Sequence, residues 1–207
     1  MSLFSVFLLL WCSAPSLAAA EVAPPPAESY LRSIPPDLLA HLERERFVVF
    51  SGDAATPGLI QGLVAFSQPY PQVWRLLAQT DRQREYRTEL TEDTTLERFE
   101  NGSVDRHRIS MLFIRIAYHL RYQLDPGACH IEWSLAPNYE NDLQQTSGSW
   151  DFFDLGANRV LGRLATTVRL GSGMPRSMQD AITRKNLPQT LDHVRRWVDS
   201  GGTWRAR

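Results

Sequence analysis

One lysine, Lys185, stands among the 22 basic residues of this 207-residue chain, and there are only two cysteines, Cys12 and Cys129. The arginines are scattered, and no basic block is interleaved with aromatics, so nucleic acid is not an expected partner. Two cysteines are too few for a four-cysteine zinc module. The five histidines (His41, His107, His119, His130, His193) contain no pair at His-x-x-x-His spacing. They are expected as solvated surface side chains, with no metal site and no cofactor. There is no Gly-x-Ser-x-Gly elbow and no phosphate-binding glycine loop. Ser110 and Ser134 have no readable catalytic partner. The longest mainly apolar stretch, Phe4 to Trp11, interrupted only by Ser5, falls well short of the ~20 residues that span a bilayer.

What is present begins with that run. Followed by Ser16-Leu17-Ala18-Ala19-Ala20, it reads as a secretory signal peptide over residues 1–20, although Met1-Ser2-Leu3 carries no basic residue. Trp11 before Cys12 argues against a lipid-modified cysteine, which wants a small residue there. The expected location is periplasmic or secreted. Cleavage near Ala20 leaves Cys129 alone, with no intramolecular disulfide, and Cys129 is expected as a small buried residue on a strand. Residues 21–28 form a Pro-rich leader, expected to be extended and solvated. The remainder has the length of one domain with a real core. Net charge is close to balanced, at −1.

Periodicity divides that remainder. Pro35-Pro36 splits a helical candidate between Ser29 and Glu45, and Phe47 to Phe50 is strand-like; together they form an amino-terminal extension over residues 29–57. Gly58 to Phe66 is a strand. Ser67 is a candidate cap for a helix with Pro69 and Pro71 in its first turn and Val73, Trp74 and Leu77 inward. Asp81 to Tyr86 is a polar, helical turn. The period then changes to two. Leu90 to Phe99 is followed by the hairpin signal Asn101-Gly102. Val104 to Ile114 carries Ile109, Met111 and Phe113 on one face. Ile114, Ile116, Tyr118, Leu120 and Tyr122 alternate with Arg115, Ala117, His119, Arg121 and Gln123, and the apolar register shifts near Leu112 to Ile116, predicting a turn or bulge there. Asp125-Pro126-Gly127 is a turn. Cys129 to Leu135, Gly148 to Phe152 and Val160 to Leu170 continue the strands. From Pro175 to Ser200, Met178, Ile182, Leu187, Leu191, Val194 and Val198 recur at helical spacing, with Pro188 a predicted kink. Residues 201–207 are a tail.

The expected fold class is therefore α+β: a curved antiparallel sheet of about seven strands around a long carboxy-terminal helix, with two short helices after the first sheet strand. This order resembles the START-like, polyketide cyclase and coenzyme-Q-binding superfamily (SRPBCC, helix-grip). Ala65-Phe66-Ser67-Gln68-Pro69, then Val73-Trp74-Arg75-Leu76-Leu77 and Asp81, look like its first strand and helix. Gly148-Ser149-Trp150-Asp151-Phe152 looks like its Gly-x-Trp strand. Val160 to Gly173 with Pro175 and Leu187-Pro188 look like its last strand and grip helix. The resemblance covers residues 58–200 and implies a cavity for a lipid or other hydrophobic small molecule. Because that superfamily also includes enzymes, it does not by itself decide function.

The candidate cavity lining is Met111, Phe113, Tyr118, Tyr122, Trp133, Trp150, Phe152, Leu164, Met178 and Ile182. A filled core would use the same residue types. The carboxylates Glu89, Glu92, Asp93, Glu97 and Glu100, and Glu140, Asp142, Asp151 and Asp154, are expected on solvated faces. Three functions stay open. The preferred one is a monomeric carrier of a hydrophobic molecule or lipid, compatible with transient membrane contact. The others are a cyclase- or hydrolase-type enzyme guided by Tyr118, Arg121 or Asp151, and an envelope partner-binding module.

Overall fold

A computed structural model describes residues 22–51, 58–111, 114–170 and 176–206. The signal-peptide expectation, Phe113 and the Gly171-Gly173 break fall outside the described residues. Two short helices, α1 (Glu28–Leu31) and α2 (Pro36–Glu45), open the fold, separated at Pro35 as proline geometry dictates. Arg46 ends α2 in the left-handed conformation, its N–H bonded to the Leu42 carbonyl at 2.8 Å.

Eight strands then build one antiparallel sheet: β1 (Phe47–Ser51), β2 (Leu59–Phe66), β3 (Leu90–Phe99), β4 (Gly102–Met111), β5 (Ile114–Asp125), β6 (His130–Leu135), β7 (Leu143–Gly156) and β8 (Arg159–Leu170). Their order is β1-β2-β8-β7-β6-β5-β4-β3. The count exceeds the expected seven because Phe47–Ser51 pairs residue for residue with β2 and so joins the sheet as an edge strand. Strands β3 to β8 form an unbroken meander. To reach the far edge from β2, the chain passes through α3 (Tyr70–Leu77) and a 3-10 helix (Thr80–Glu85). The last helix, α4 (Arg176–Asp199), continues through Pro188 and lies against β1, β2 and β8 on the inner face. Its terminus is set by Gly201 and Gly202, both at positive φ.

Local chemistry departs from the sequence expectation in three places. The N-cap of α3 is Pro69 with no side-chain cap; the Ser67 amide instead donates to Asp199 Oδ1 at 2.6 Å, tying β2 to the end of α4. The leader is not wholly solvated: the Ala27 amide donates to the Asp154 carbonyl and the Asp154 amide to the Pro25 carbonyl, each at 2.8 Å. Cys129 is buried, but in the turn before β6 rather than on a strand, with φ +53.

The hairpin at Asn101-Gly102 forms, with Phe99 paired to Gly102. A Cβ at Gly102 would stand 2.1 Å from the Tyr122 carbonyl oxygen, so glycine is required there for the close approach of β5. The expected split near residue 112 is seen as two antiparallel strands, β4 and β5, paired as far as Met111 and Ile114; residues 112–113 lie outside the described residues.

The sheet buries both faces near β1, β2 and β8. On the outer face Val48, Leu63 and Leu161 pack with Leu42, Ile34 and Ala27 under α1 and α2. On the inner face Val64, Phe66, Phe152 and Val160 pack with Val73, Leu76, Leu191, Val194 and Trp197.

Candidate functional site

The inner core is not filled throughout. A cavity of about 210 Å³ lies between the curved middle of the sheet and α4. Its sheet wall comes from β4 to β8, with Ile109, Tyr118, Leu120, Tyr122, Ile131, Trp133, Trp150 and Leu164. Leu187, Leu191 and Val194 of α4 form the opposite wall, and Leu77, Thr80 and Gln83 close one side. Alternation explains the sheet wall: residues two apart along a strand face the same side.

Gly148 shows why the Gly-x-Trp pattern belongs here. A Cβ at residue 148 would sit 2.3 Å from the Trp133 ring and 2.5 Å from the Ala165 carbonyl oxygen. The missing side chain lets the Trp133 indole lie across the strand, while Trp150, two residues on, lines the same cavity.

Of the ten sequence candidates, Tyr118, Tyr122, Trp133, Trp150 and Leu164 line this cavity. Phe152 is buried beside it, in an aromatic group with Tyr70, Trp74 and Trp150 whose ring centroids lie 6.0 to 6.2 Å from its own. Met178 and Ile182 fall on α4, and Met111 ends β4, but their side chains lie outside the described residues, as does Phe113. Arg121 and Asp151, offered as enzymic groups, sit on the other face of the sheet. Arg121 stacks on Phe99 at 4.3 Å, and Asp151 is bonded to His130 Nδ1 at 2.7 Å and Arg163 at 2.8 Å. Strand parity places both opposite Trp150 and Tyr122.

Sequence reasoning missed the polar end of the cavity. Arg87 and Glu89 both line it and form an ion pair at 2.8 Å, with side chains 18% and 15% exposed. Glu89 therefore does not belong to a solvated face. Burial alone would raise the Glu89 carboxyl, but the Arg87 guanidinium outweighs this and holds it below its ordinary value. Burial likewise opposes the Arg87 charge, and Glu89 restores it, so Arg87 remains a cation. Gln83 accepts a hydrogen bond from Arg87 at 2.9 Å and donates to the Tyr122 hydroxyl at 2.7 Å. Burial raises the Tyr86, Tyr118 and Tyr122 hydroxyls, keeping all three neutral. In sequence, Glu89 reads with its neighbouring carboxylates as part of a solvated face; only the crossing of the 3-10 helix over the sheet makes it half of an interior pair.

Two further expectations are corrected beside this end. His107 is fully buried, because it shares the inward parity of Ile109 on β4. Its ring lies between Tyr118 and Tyr122, with centroids at 5.3 and 6.1 Å. Asp93, its register partner on β3, also has no exposed side-chain surface. Burial raises the Asp93 carboxyl to about 7; the Gln83 amide opposes the rise and the like charge of Asp105 adds to it. Burial pushes His107 well down, reinforced by Arg87 and His119, so its imidazole is neutral.

The chemistry available is binding with orientation: an apolar pocket with a preformed charged pair and tyrosine hydroxyls at one end.

No protein-family model matches the sequence, and no protein of curated function does. Solved structures do. A STAR-related lipid transfer protein from Xanthomonas axonopodis is 15% identical, with 74% of this chain and 94% of that one aligned at a TM-score of 0.60. The Zhui aromatase/cyclase from a Streptomyces species is 19% identical, with 68% and 93% covered at 0.58. A START superfamily protein from Mycobacterium smegmatis is 10% identical, with 69% and 97% covered at 0.57. The chain has the START-like helix-grip fold.

Proposed function

We propose that this chain is an exported protein that binds a hydrophobic small molecule or lipid between the sheet and α4. The observation that carries the reading is the cavity of about 210 Å³, walled by aromatic and aliphatic side chains and ending at Arg87 and Glu89. The fold is one whose solved members include a lipid transfer protein and an aromatase/cyclase. Apolar surface removed from water contributes ~25 cal/mol per Å², so the apolar walls supply the affinity and the polar end the orientation. The volume lies below the ~300–1,000 Å³ of drug-sized ligand pockets. The guest is accordingly compact, or this cavity holds only the buried portion of a larger one. Export rests on the apolar amino-terminal run and its Ala-rich boundary.

Native mass spectrometry and organic extraction of the purified chain, followed by titration of the delipidated protein with fatty acids, phospholipids, sterols and quinones, test the binding. Trp133 and Trp150 in the wall give an intrinsic fluorescence signal. Failure of every class to bind overturns the reading. Cell fractionation with amino-terminal sequencing tests export: a mature end near Glu21 is expected, and an unprocessed chain confined to the cytoplasm refutes it.

A second reading, a cyclase-type enzyme in the same cavity, is favoured by one observation, the charged pair inside the wall. It requires turnover of a bound apolar substrate that disappears in Arg87→Gln while binding persists.

A further inference from the structure

Behind the tyrosine wall, three side chains are buried together with five of their polar atoms unpartnered. Asp105 and His107 are two residues apart on β4 and share a face; Asp93 faces His107 across the β3–β4 pairing. One donor atom from each lies within 4.8 Å of the others, and His107 Nε2 stands 3.5 Å from Asp93 Oδ1. Asp105 and His107 have no exposed surface. Among the described residues, neither Asp105 oxygen, neither His107 nitrogen, nor Asp93 Oδ1 has a hydrogen-bond partner. Each unsatisfied buried polar group costs about 1–3 kcal/mol, more when charged, so five such atoms in one place call for an occupant.

We propose that Asp93, Asp105 and His107 bind a first-row divalent transition cation, zinc being the test ion. With both carboxylates ionised the group holds two negative charges, and Arg87, whose charge bears on Asp93 and His107, is already paired with Glu89. A divalent ion balances that charge; a single shared proton joins at most two of the five orphaned atoms. The imidazole selects a transition metal over calcium or magnesium, which take oxygen ligands. Bonds of ~2.0–2.2 Å at tetrahedral angles place ligand atoms ~3.3–3.6 Å apart, a modest closing of the present separations. Three protein ligands leave a fourth position for water.

The surroundings fit an outer shell. Asp93 Oδ2 accepts the Gln83 amide N–H at 2.8 Å, and the Gln83 side chain holds the Tyr122 hydroxyl and Arg87. Such contacts orient first ligands. The ion then ties β3 and β4, through Gln83, to the 3-10 helix that precedes Arg87 and Glu89.

The test is the zinc content of protein expressed with added zinc and passed into metal-free buffer. One ion per folded chain is expected in the wild type and in the His130→Ala control, whose imidazole lies on the outer face. Asp105→Asn, isosteric and able to fold, and His107→Ala are expected to lose metal about tenfold or more. X-ray absorption at the zinc edge of the wild type, which needs no variant, is expected to show one imidazole and oxygen neighbours at ~2.0–2.2 Å. A folded wild type that retains no zinc, equal retention in both variants, or a sulfur neighbour indicating Cys129, each overturns the proposal. Ligand binding in the cavity is scored separately, so either idea fails alone.

Discussion

Leu63 and Val64 are consecutive on β2, both fully buried, and they face different interiors. Leu63 belongs to the outer core beneath α1 and α2, where buried aliphatic side chains are flanked by Tyr30, Phe50 and Phe153. Val64 belongs to the inner core, where α4 packs tightly at β1, β2 and β8 but stands off the curved middle strands. The cavity opens there, and all its described lining is on the inner side. The difference teaches that burial by itself does not fill space. Short helices settle onto the sheet end beneath them, whereas one long helix across a bent sheet meets only part of it, and large aromatic rings bridge the remainder incompletely.

The largest effect is expected at the polar end, which the outer core lacks. Removing Arg87 as Arg87→Met leaves Glu89 charged and buried, and should cost about 3–5 kcal/mol in denaturant unfolding. The double variant with Glu89→Leu should recover most of this; failure to recover would mean that the pair is more solvated than its exposure indicates.

Next are two leucine truncations that set the cores side by side. Leu191→Ala on the inner side and Leu63→Ala on the outer should each cost about 2–5 kcal/mol. Only Leu191→Ala enlarges the cavity and should alter hydrophobic-probe binding. Equal changes in binding would erase the distinction between the two cores.

Gly148→Ala should cost about 1–3 kcal/mol by overpacking, because the added carbon meets the Ala165 backbone as well as the Trp133 ring. A shift in Trp fluorescence should accompany the loss.

Acid sensitivity is a smaller and sharper test. The folded Glu89 carboxyl lies below its ordinary 4.5. Its stabilisation is fully present above 4.5 and is lost as pH falls through the lower folded value. Glu89→Gln should flatten that part of the acid limb in an unfolding series; an unchanged limb would show that Arg87 does not protect it. At the far end of the scale, Arg32→Ala breaks an ion pair whose side chains are 78% and 81% exposed, and should leave unfolding unchanged.

Much of the scaffold was legible. The change from helical to two-residue period after Tyr86, the hairpin glycine at residue 102 and the long final helix placed the meander and its grip. Five cavity-lining aromatics and aliphatics were identifiable because inward parity follows from alternation. What was missed has a common cause. Arg87, Glu89, Asp93, Asp105 and His107 are polar residues whose local pattern is that of a wet strand or turn. Phe47 to Phe50 was visible as a strand, yet nothing in its own residues says that it joins the sheet edge rather than an extension.

Sequence alone determined which residues alternate, where the chain turns and which helix face is apolar, since these depend on neighbours a few positions apart. Tertiary structure decided which side of β3 and β4 is covered, that α4 leaves a space over the bent strands, and that a charged pair and an Asp-Asp-His group are sealed inside. Those outcomes depend on how distant segments cover one another, and burial is a property of the assembled layers rather than of any local run of residues.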